Sequence, residues 1–340
     1  MTEKTAKKRH NMRDVARYAG VSVATVSRVV SGASSVADTT QARVRSAIDA
    51  LNFVPSAAAR VINSGRSYMV GALVPTLDHA IFSRFLDALE RELADHGFSL
   101  VVATTHDDPD REARRAQDLL NLGVEGFVVS GLSHSDAFGD LIARYKTPVI
   151  ATSYFDPSSP LVTVGYDNGA AALRALDHLV EMGHETIAVL SGPMRDNDRT
   201  RARVRALKRQ PAQALQFHDV PMGLAASESV EDVLQSDPRV TAILCLSDVI
   251  AQGAMNGLRR LDVRVPEDMS VVGVDDLPSS QSIWPPLSSV HLPVTRMGTC
   301  AAERLARWIE TGERARPLEL ETRMVARSTV RSLDGRAREP

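Results

Sequence analysis

The apolar positions of the first fifty residues fall into three short helical faces. Val15, Ala16 and Ala19 share one face, Val26, Val29 and Val30 a second, and Val44, Ala47, Ile48 and Leu51 a third at i, i+3, i+4, i+7 spacing. Ala19-Gly20-Val21-Ser22 predicts a tight turn between the first two, because Gly20 tolerates a sharp corner and Ser22 can cap a helix starting at Val23. Asp38-Thr39-Thr40 opens the third helix, and Pro55 stops it. Ser56 to Asn63 predicts a further short helix, with a Ser cap, three alanines and Gly65 behind it; a helix this short is marginal alone in water.

The pattern changes at Met69. Buried-strand runs at 70–75, 98–104, 126–130, 148–152, 161–164, 186–191, 216–220, 242–246 and 270–274 alternate with amphipathic helical stretches at 82–96, 111–122, 137–145, 170–182, 201–208, 228–234 and 249–261. Strict β-α alternation predicts parallel sheets covered on both faces. There are too many such units for one open sheet of ordinary size, so two lobes are expected. No stretch approaches the length of a membrane span, and MTEKTAKKRHN lacks the apolar core of a secretory signal. Cys245 and Cys300 have no metal or disulfide spacing and read as thiols of a reducing compartment, which predicts a cytoplasmic protein.

Charge is divided unevenly. Residues 1–66 hold eleven Lys and Arg against four acids, a net +7, which leaves −9 on the rest of a chain whose total is −2. A basic end on an acidic body suggests a polyanion partner for that end alone. A basic tail by itself is more often a solvated arm. Here it coincides with two helices joined by a tight turn, an arrangement that presents Val23, Ala24, Ser27 and Arg28 outward, as a helix-turn-helix presents its recognition helix to base edges. A plain helical hairpin in a core is the competing reading.

Enzyme signatures are absent from the sequence: no phosphate loop ending in Lys-Ser/Thr, no G-x-S-x-G, no H-E-x-x-H and no paired-cysteine motif. The nine histidines are scattered, and His178 and His184 flank a helix end where a structural role fits better than catalysis. No cofactor and no metal are expected. Polar residues do sit where open α/β sheets bind ligands, at strand C-terminal ends: Ser130, Ser247-Asp248, Asp275-Asp276, and Asp167 just after 161–164. Each alone is more often a helix cap or loop solvator; together they suggest a cleft between lobes.

The stretch Asp14 to Gly32, DVARYAGVSVATVSRVVSG, with Val44-Arg45-Ser46-Ala47-Ile48 and Leu51-Asn52-Phe53-Val54-Pro55-Ser56, resembles the lac repressor/galactose repressor family of bacterial transcription regulators. The resemblance covers nearly the whole chain in order. It implies a basic tail (1–11), a helix-turn-helix headpiece (12–55), a hinge helix and linker (56–68), a two-lobed domain of the type I periplasmic-binding-protein fold (69–330) and a short polar tail (331–340). Lobe one would take about 69–164 and 293–322, and lobe two about 165–290 and 323–330, the chain crossing three times. The lac repressor's tetramerising leucine heptad has no counterpart, so a homodimer on a palindromic operator is expected. Ser22, Val23, Ala24, Ser27, Arg28 and Thr40 would touch double-stranded DNA, with Ala57, Arg60 and Ile62 on the hinge helix. Ile62 stands where the family inserts a leucine between base steps. Ser31 replaces a usual Asn and Gln41 a usual Arg, which points to weaker backbone contact.

For the two lobes, the resemblance implies an effector site of Phe82, Ser130, Asp167, Asn197, Arg203, Ser247 and Asp275. Asn197-x-Arg199-x-x-x-Arg203 matches the family's effector arginine motif in a loop one residue longer, with Arg203 as the arginine and Arg199 or Arg201 as alternatives. Leu292 stands where the lac repressor has Gln, so the galactoside contacts are not reproduced. Val164-Gly165-Tyr166-Asp167-Asn168 and Arg296-Met297-Gly298 resemble gluconate-type repressors. An acidic acceptor and an arginine fork suit a sugar or sugar acid. The expectation is therefore an α/β, ligand-responsive repressor that is not an enzyme; the rival is a sugar-binding protein without DNA activity.

Overall fold

The computed structural model describes residues 10–30, 36–53, 65–195, 197–210 and 213–333. The chain divides into two compact units, 1–68 and 69–340. The expected hinge helix, and with it Ala57, Arg60 and Ile62, lies outside the described residues.

In the first unit, α1 (Met12–Ala19) starts from a reciprocal cap: Asn11 accepts from the amides of Arg13 and Asp14, and Asp14 accepts from the Asn11 amide at 3.0 Å. Gly20 ends it at φ 64°, the left-handed conformation the corner requires. The Ser22 hydroxyl then accepts from the Thr25 amide at 3.1 Å and opens α2 (Val23–Val30). α3 spans Asp38–Ala50. Val15, Ala16, Ala19, Val26, Val44, Ala47 and Phe53 close one small core among the three helices. Arg43 on α3 donates to the carbonyls of Ala19 and Gly20, tying the third helix to the turn.

The second unit contains two six-stranded sheets. Lobe one orders its strands β11-β5-β4-β3-β1-β2, and lobe two β12-β10-β9-β8-β6-β7. In lobe one these are β1 (Met69–Val74), β2 (Ser99–Thr104), β3 (Gly126–Ser130), β4 (Val149–Thr152), β5 (Val162–Gly165) and β11 (Leu318–Glu319). In lobe two they are β6 (Thr186–Ser191), β7 (Ala214–Asp219), β8 (Ala242–Cys245), β9 (Ser270–Asp275), β10 (Ser288–His291) and β12 (Arg323–Val325). Every pairing is parallel except β10 with β12. The sheets are covered by α4 (Ala80–Asp95), α5 (Pro109–Asn121), α6 (Asp136–Tyr145), α7 (Asn168–Glu181), α8 (Asp198–Leu207), α9 (Val230–Ser236), α10 (Asp248–Arg260), α11 (Pro278–Ser282) and α12 (Val294–Thr311). The chain passes between lobes three times: after β5, after β10 and between β11 and β12.

Most expected boundaries recur within two or three residues. The helix expected at 201–208 starts at Asp198, because Asn197 caps it by accepting from the Thr200 amide at 3.1 Å. Gly223–Ser227 forms a short 3-10 turn that no hydrophobic period announces. α12 returns to lobe one and lies on α4 so closely that a Cβ on Gly298 would sit 2.6 Å from the Phe85 carbonyl oxygen. That contact is the local role of the Arg296-Met297-Gly298 motif. No helix among the described residues is long and apolar enough to cross a membrane.

Candidate functional site

The first unit carries its chemistry on an exposed surface. On α2, Val26 is fully buried, whereas Ser22, Val23, Ala24 and Arg28 are exposed and Ser27 is half-buried. The outward set is the one a major-groove reader needs, and only Arg28 in it has the two-pronged donor geometry that matches a guanine edge. Thr40 lies half-buried in the first turn of α3. Gln41 turns inward and donates to the Val36 carbonyl at 2.9 Å, closing the helix entry. Tyr18, 63% exposed on α1, was not singled out from the sequence.

The second unit contains a cleft of about 450 Å³ between the lobes. Phe82, Asn197, Arg203, Ser247 and Asp275 line it; Ser130 and Asp167 do not. Asp275 ends β9 with φ 138°, and Asp276 follows at φ 54°. Such backbone persists where surrounding contacts fix it, and these corners gather at ligand sites. The Asp275 carboxylate accepts from the Asp248 amide at 3.2 Å. Burial, and the neighbouring Asp248 carboxylate, push it up to about 7 despite the Arg203 guanidinium. Asp248 is itself raised by burial, although it accepts from the Leu277 amide and the Ser280 and Ser289 hydroxyls at 2.8, 2.6 and 2.5 Å. Asp276 behaves differently. Burial pushes it up, but Arg327 and His291 outweigh burial and leave it below the usual carboxylate value.

Arg203 is buried on α8. Its Nε donates to Asn168 Oδ1 at 3.0 Å and its Nη1 to the Leu246 carbonyl at 2.7 Å, and Asn168 is held in turn by the Ser153 carbonyl at 2.8 Å. That network fixes the guanidinium beside Asp275, and both Arg203 and Arg199 line the cleft. Arg201 reaches the Met194 carbonyl and Ser133, and Arg199 pairs with Asp107 and Asp198. Phe82 lies stacked on His79, with ring centroids 6.5 Å apart.

Three expected polar residues are helix caps. Ser247 accepts from the Val249 amide, Asn197 from Thr200 and Asp167 from Ala170. Ser247 and Asn197 also face the cleft, whereas Asp167 is exposed outside it. Ser130 lines a separate polar pocket of about 20 Å³ with Asp107, Glu112 and Arg199; its buried hydroxyl has no partner among the described residues. Leu292 is fully buried in the apolar core. Sequence reasoning missed Tyr166 and Asn168, which flank Asp167 and turn inward; burial raises the Tyr166 hydroxyl above its usual value. The alternation of the strand ending at Gly165 was the available signal, since adjacent positions face opposite ways.

A three-helix unit with an exposed reading helix, followed by a two-lobed ligand cleft, defines a DNA-binding regulator that answers a small molecule. Comparison with known proteins gives the family. Residues 11–56 match the model for bacterial regulatory proteins of the lacI family, and residues 67–329 match the model for periplasmic binding proteins and the sugar binding domain of the LacI family. The chain belongs to the LacI family. It is 30% identical over 332 residues to the HTH-type transcriptional repressor PurR of Vibrio atlanticus, covering 95% of this chain and 99% of that one. The PurR of Haemophilus influenzae is 28% identical over 333 residues, again 95% and 99%. Among solved structures, a lac repressor dimer bound to operator and the anti-inducer ONPF superposes with a TM-score of 0.82 at 25% identity, covering 95% of this chain and all of that one. A cellobiose complex of the regulator CelR gives 0.66 at 26%, covering 94% and 100%. The relatives are transcriptional repressors rather than enzymes, and the chain is a ligand-responsive, DNA-binding repressor of this family.

Proposed function

We propose that this repressor acts in the cytoplasm as a homodimer on a palindromic operator and that its effector is a sugar or sugar acid held between the lobes. Ser22, Val23, Ala24, Ser27, Arg28 and Thr40 form the DNA face of the headpiece, with Arg28 as the base reader. Ala57, Arg60 and Ile62 complete it from the hinge. Phe82, Asn197, Arg203, Ser247 and Asp275 form the effector site. The carrying observation is the buried pair of Asp275 and Arg203, an acceptor beside a donor at the end of β9. A polyol hydroxyl donates a hydrogen bond to the first and accepts one from the second, and a carboxylate meets the guanidinium. Phe82 supplies the apolar wall that the face of a sugar ring packs on. The solved CelR–cellobiose complex, at 26% identity, is a relative with a sugar bound.

A thermal-shift screen of sugars, sugar acids and nucleobases tests the ligand class. A ligand at a hundred times its Kd stabilises by about 2.7 kcal/mol. A sugar or sugar acid should shift the wild-type chain and not Asp275→Ala, which should lose about 1–3 kcal/mol of ligand binding while keeping its affinity for operator DNA in the absence of ligand. A nucleobase that shifts the wild type instead replaces the ligand class and keeps the cleft. A variant with unchanged ligand affinity removes Asp275 from the site.

A further inference from the structure

The first turn of α8 carries three charged side chains, Asp198, Arg199 and Arg201, of which Arg199 lines the cleft together with Asp107. All three cross to lobe one. Asp198 accepts from the backbone amides of Leu132 and Ser133, the second at 3.1 Å. Arg199 pairs with Asp107 at 3.1 Å, and Arg201 donates to the Ser133 hydroxyl at 2.7 Å. These groups come from the loops after β2 and β3 on one side and from a single helical turn on the other. On the helix side the Asp198 and Arg199 side chains are only 12% and 11% exposed, and the lobe-one partner Asp107 is 36% exposed. Charge pairs in such surroundings are strong when both partners are present and costly to break.

The backbone on the lobe-one side is shaped to receive them. Gly131 has φ 80°, and a Cβ there would sit 2.5 Å from Arg199 Nη1 and 2.6 Å from Asp198 Oδ1, so the crossing side chains occupy the space a larger residue would need. His106 and Asp107 adopt left-handed backbone in succession, φ 55° and 54°. Two adjacent non-glycine residues hold that conformation only where contacts compensate it. The opposite rim repeats the device more weakly: Arg84 of lobe one donates at 3.4 Å to the carbonyl of Asp276, itself left-handed at the end of β9.

We propose that Asp198, Arg199 and Arg201 form an interlobe latch with Asp107 and the 131–133 loop, which holds the cleft closed through the chain's own groups and thereby sets how readily an effector enters and leaves. Every partner belongs to the protein, so the latch can act whether or not the cleft is filled. It biases the equilibrium between open and closed forms that an effector can shift only by differential affinity. The proposal rests on the reading of this cleft as the effector site, but its test uses neither effector nor DNA, so its failure is separate from the failure of that reading.

The test is an interlobe distance in the full chain. Spin labels at Asp140→Cys in lobe one and Arg209→Cys in lobe two, both exposed positions, are measured by double electron–electron resonance. The background is Cys300→Ser, and the sample is diluted with unlabelled protein so that pairs within one chain dominate. The latched chain should show one short-distance population. Asp198→Ala, which removes the acceptor for two amides, and Gly131→Ala, which drives a methyl into the pair from the other lobe, should each add a longer-distance population. Arg201→Met should move the distribution the same way by less. A parent chain that is already broadly distributed, or Asp198→Ala and Gly131→Ala chains that both keep the parent distribution, overturns the latch. Should one of those two fail to fold, the other and Arg201→Met decide by the same criterion.

Discussion

The two units do their work with opposite kinds of surface. Among the described residues the headpiece closes on seven buried apolar side chains and leaves its proposed reading groups, Arg28 and Ser22, exposed. The cleft keeps its proposed effector groups inside: Asp275 and Arg203 are both buried, and Asp248 is fully so. A polyanion with a repeating backbone can be held by exposed groups, because phosphate contacts are many, and its sequence is then read at base edges in the grooves. A small ligand offers few contacts, so each must be made in a place where the alternative is an unsatisfied buried group. One unit therefore tolerates loss of a contact with its fold intact, and the other links recognition to stability.

The largest expected effect tests that link. Asp248 is not among the residues that line the cleft, and it accepts three hydrogen bonds that hold the start of α11, β10 and the Asp275 corner together. Asp248→Ala leaves three buried donors without a partner and should cost about 3 kcal/mol of stability. Both tryptophans, Trp284 and Trp308, lie in the large unit, so urea unfolding followed by tryptophan fluorescence reports that unit alone. The counterpart in the headpiece is Arg28→Ala. It should remove about 1–3 kcal/mol of discrimination between operator and scrambled DNA, with the fluorescence transition unmoved. An Arg28→Ala chain that keeps its full operator preference, or an Asp248→Ala chain as stable as its parent, erases the contrast.

The pH dependence sharpens it further. Asp275 stands at about 7 in the fold against an ordinary 3.8. Between about 4 and 7 the folded chain holds a proton that the unfolded chain has released, so stability falls as pH rises through that window. Asp275→Asn should flatten that slope. A ligand hydroxyl that donates to Asp275 needs the carboxylate, so binding should release a proton and affinity should rise with pH up to about 7. Calorimetry in two buffers of different ionisation enthalpy measures the released proton directly.

Legibility in the sequence followed the same division. The headpiece and the β-α alternation could be read from spacing, since helical faces such as Val44, Ala47, Ile48 and Leu51 are local. The lobe assignment needed the resemblance, because no local pattern says that α12 returns to lobe one or that β12 pairs antiparallel with β10. At the strand ends residue type picked out Ser247 and Asp275, which line the cleft, and Ser130 and Asp167, which do not, because side-chain orientation is not written in residue type. Asp167 and Tyr166 are neighbours, yet the acid caps α7 in solvent and the phenol faces the cleft. The crossing contacts of Asp198 and Arg199 were invisible for the same reason: their partners lie far away along the chain, at 107 and 131–133, and are brought near only by the stacking of two sheets' rims.

The smallest expected effect bears on Asp167, where family resemblance and geometry pull apart. The resemblance makes it an effector acid; the structure shows an exposed carboxylate accepting from the Ala170 amide at 2.9 Å, which is the work of an N-cap. If the cap is its whole role, Asp167→Ala should lower stability by about 1 kcal/mol and leave ligand affinity within the error of calorimetry. Asp167→Ser, which caps without a charge, should recover most of that stability. If Asp167 instead contacts the effector, both variants should bind ligand more weakly, and the serine should rescue stability but not affinity. The two measurements on two variants therefore separate the roles, and a joint loss of affinity would place a second acid beside Asp275 at the effector.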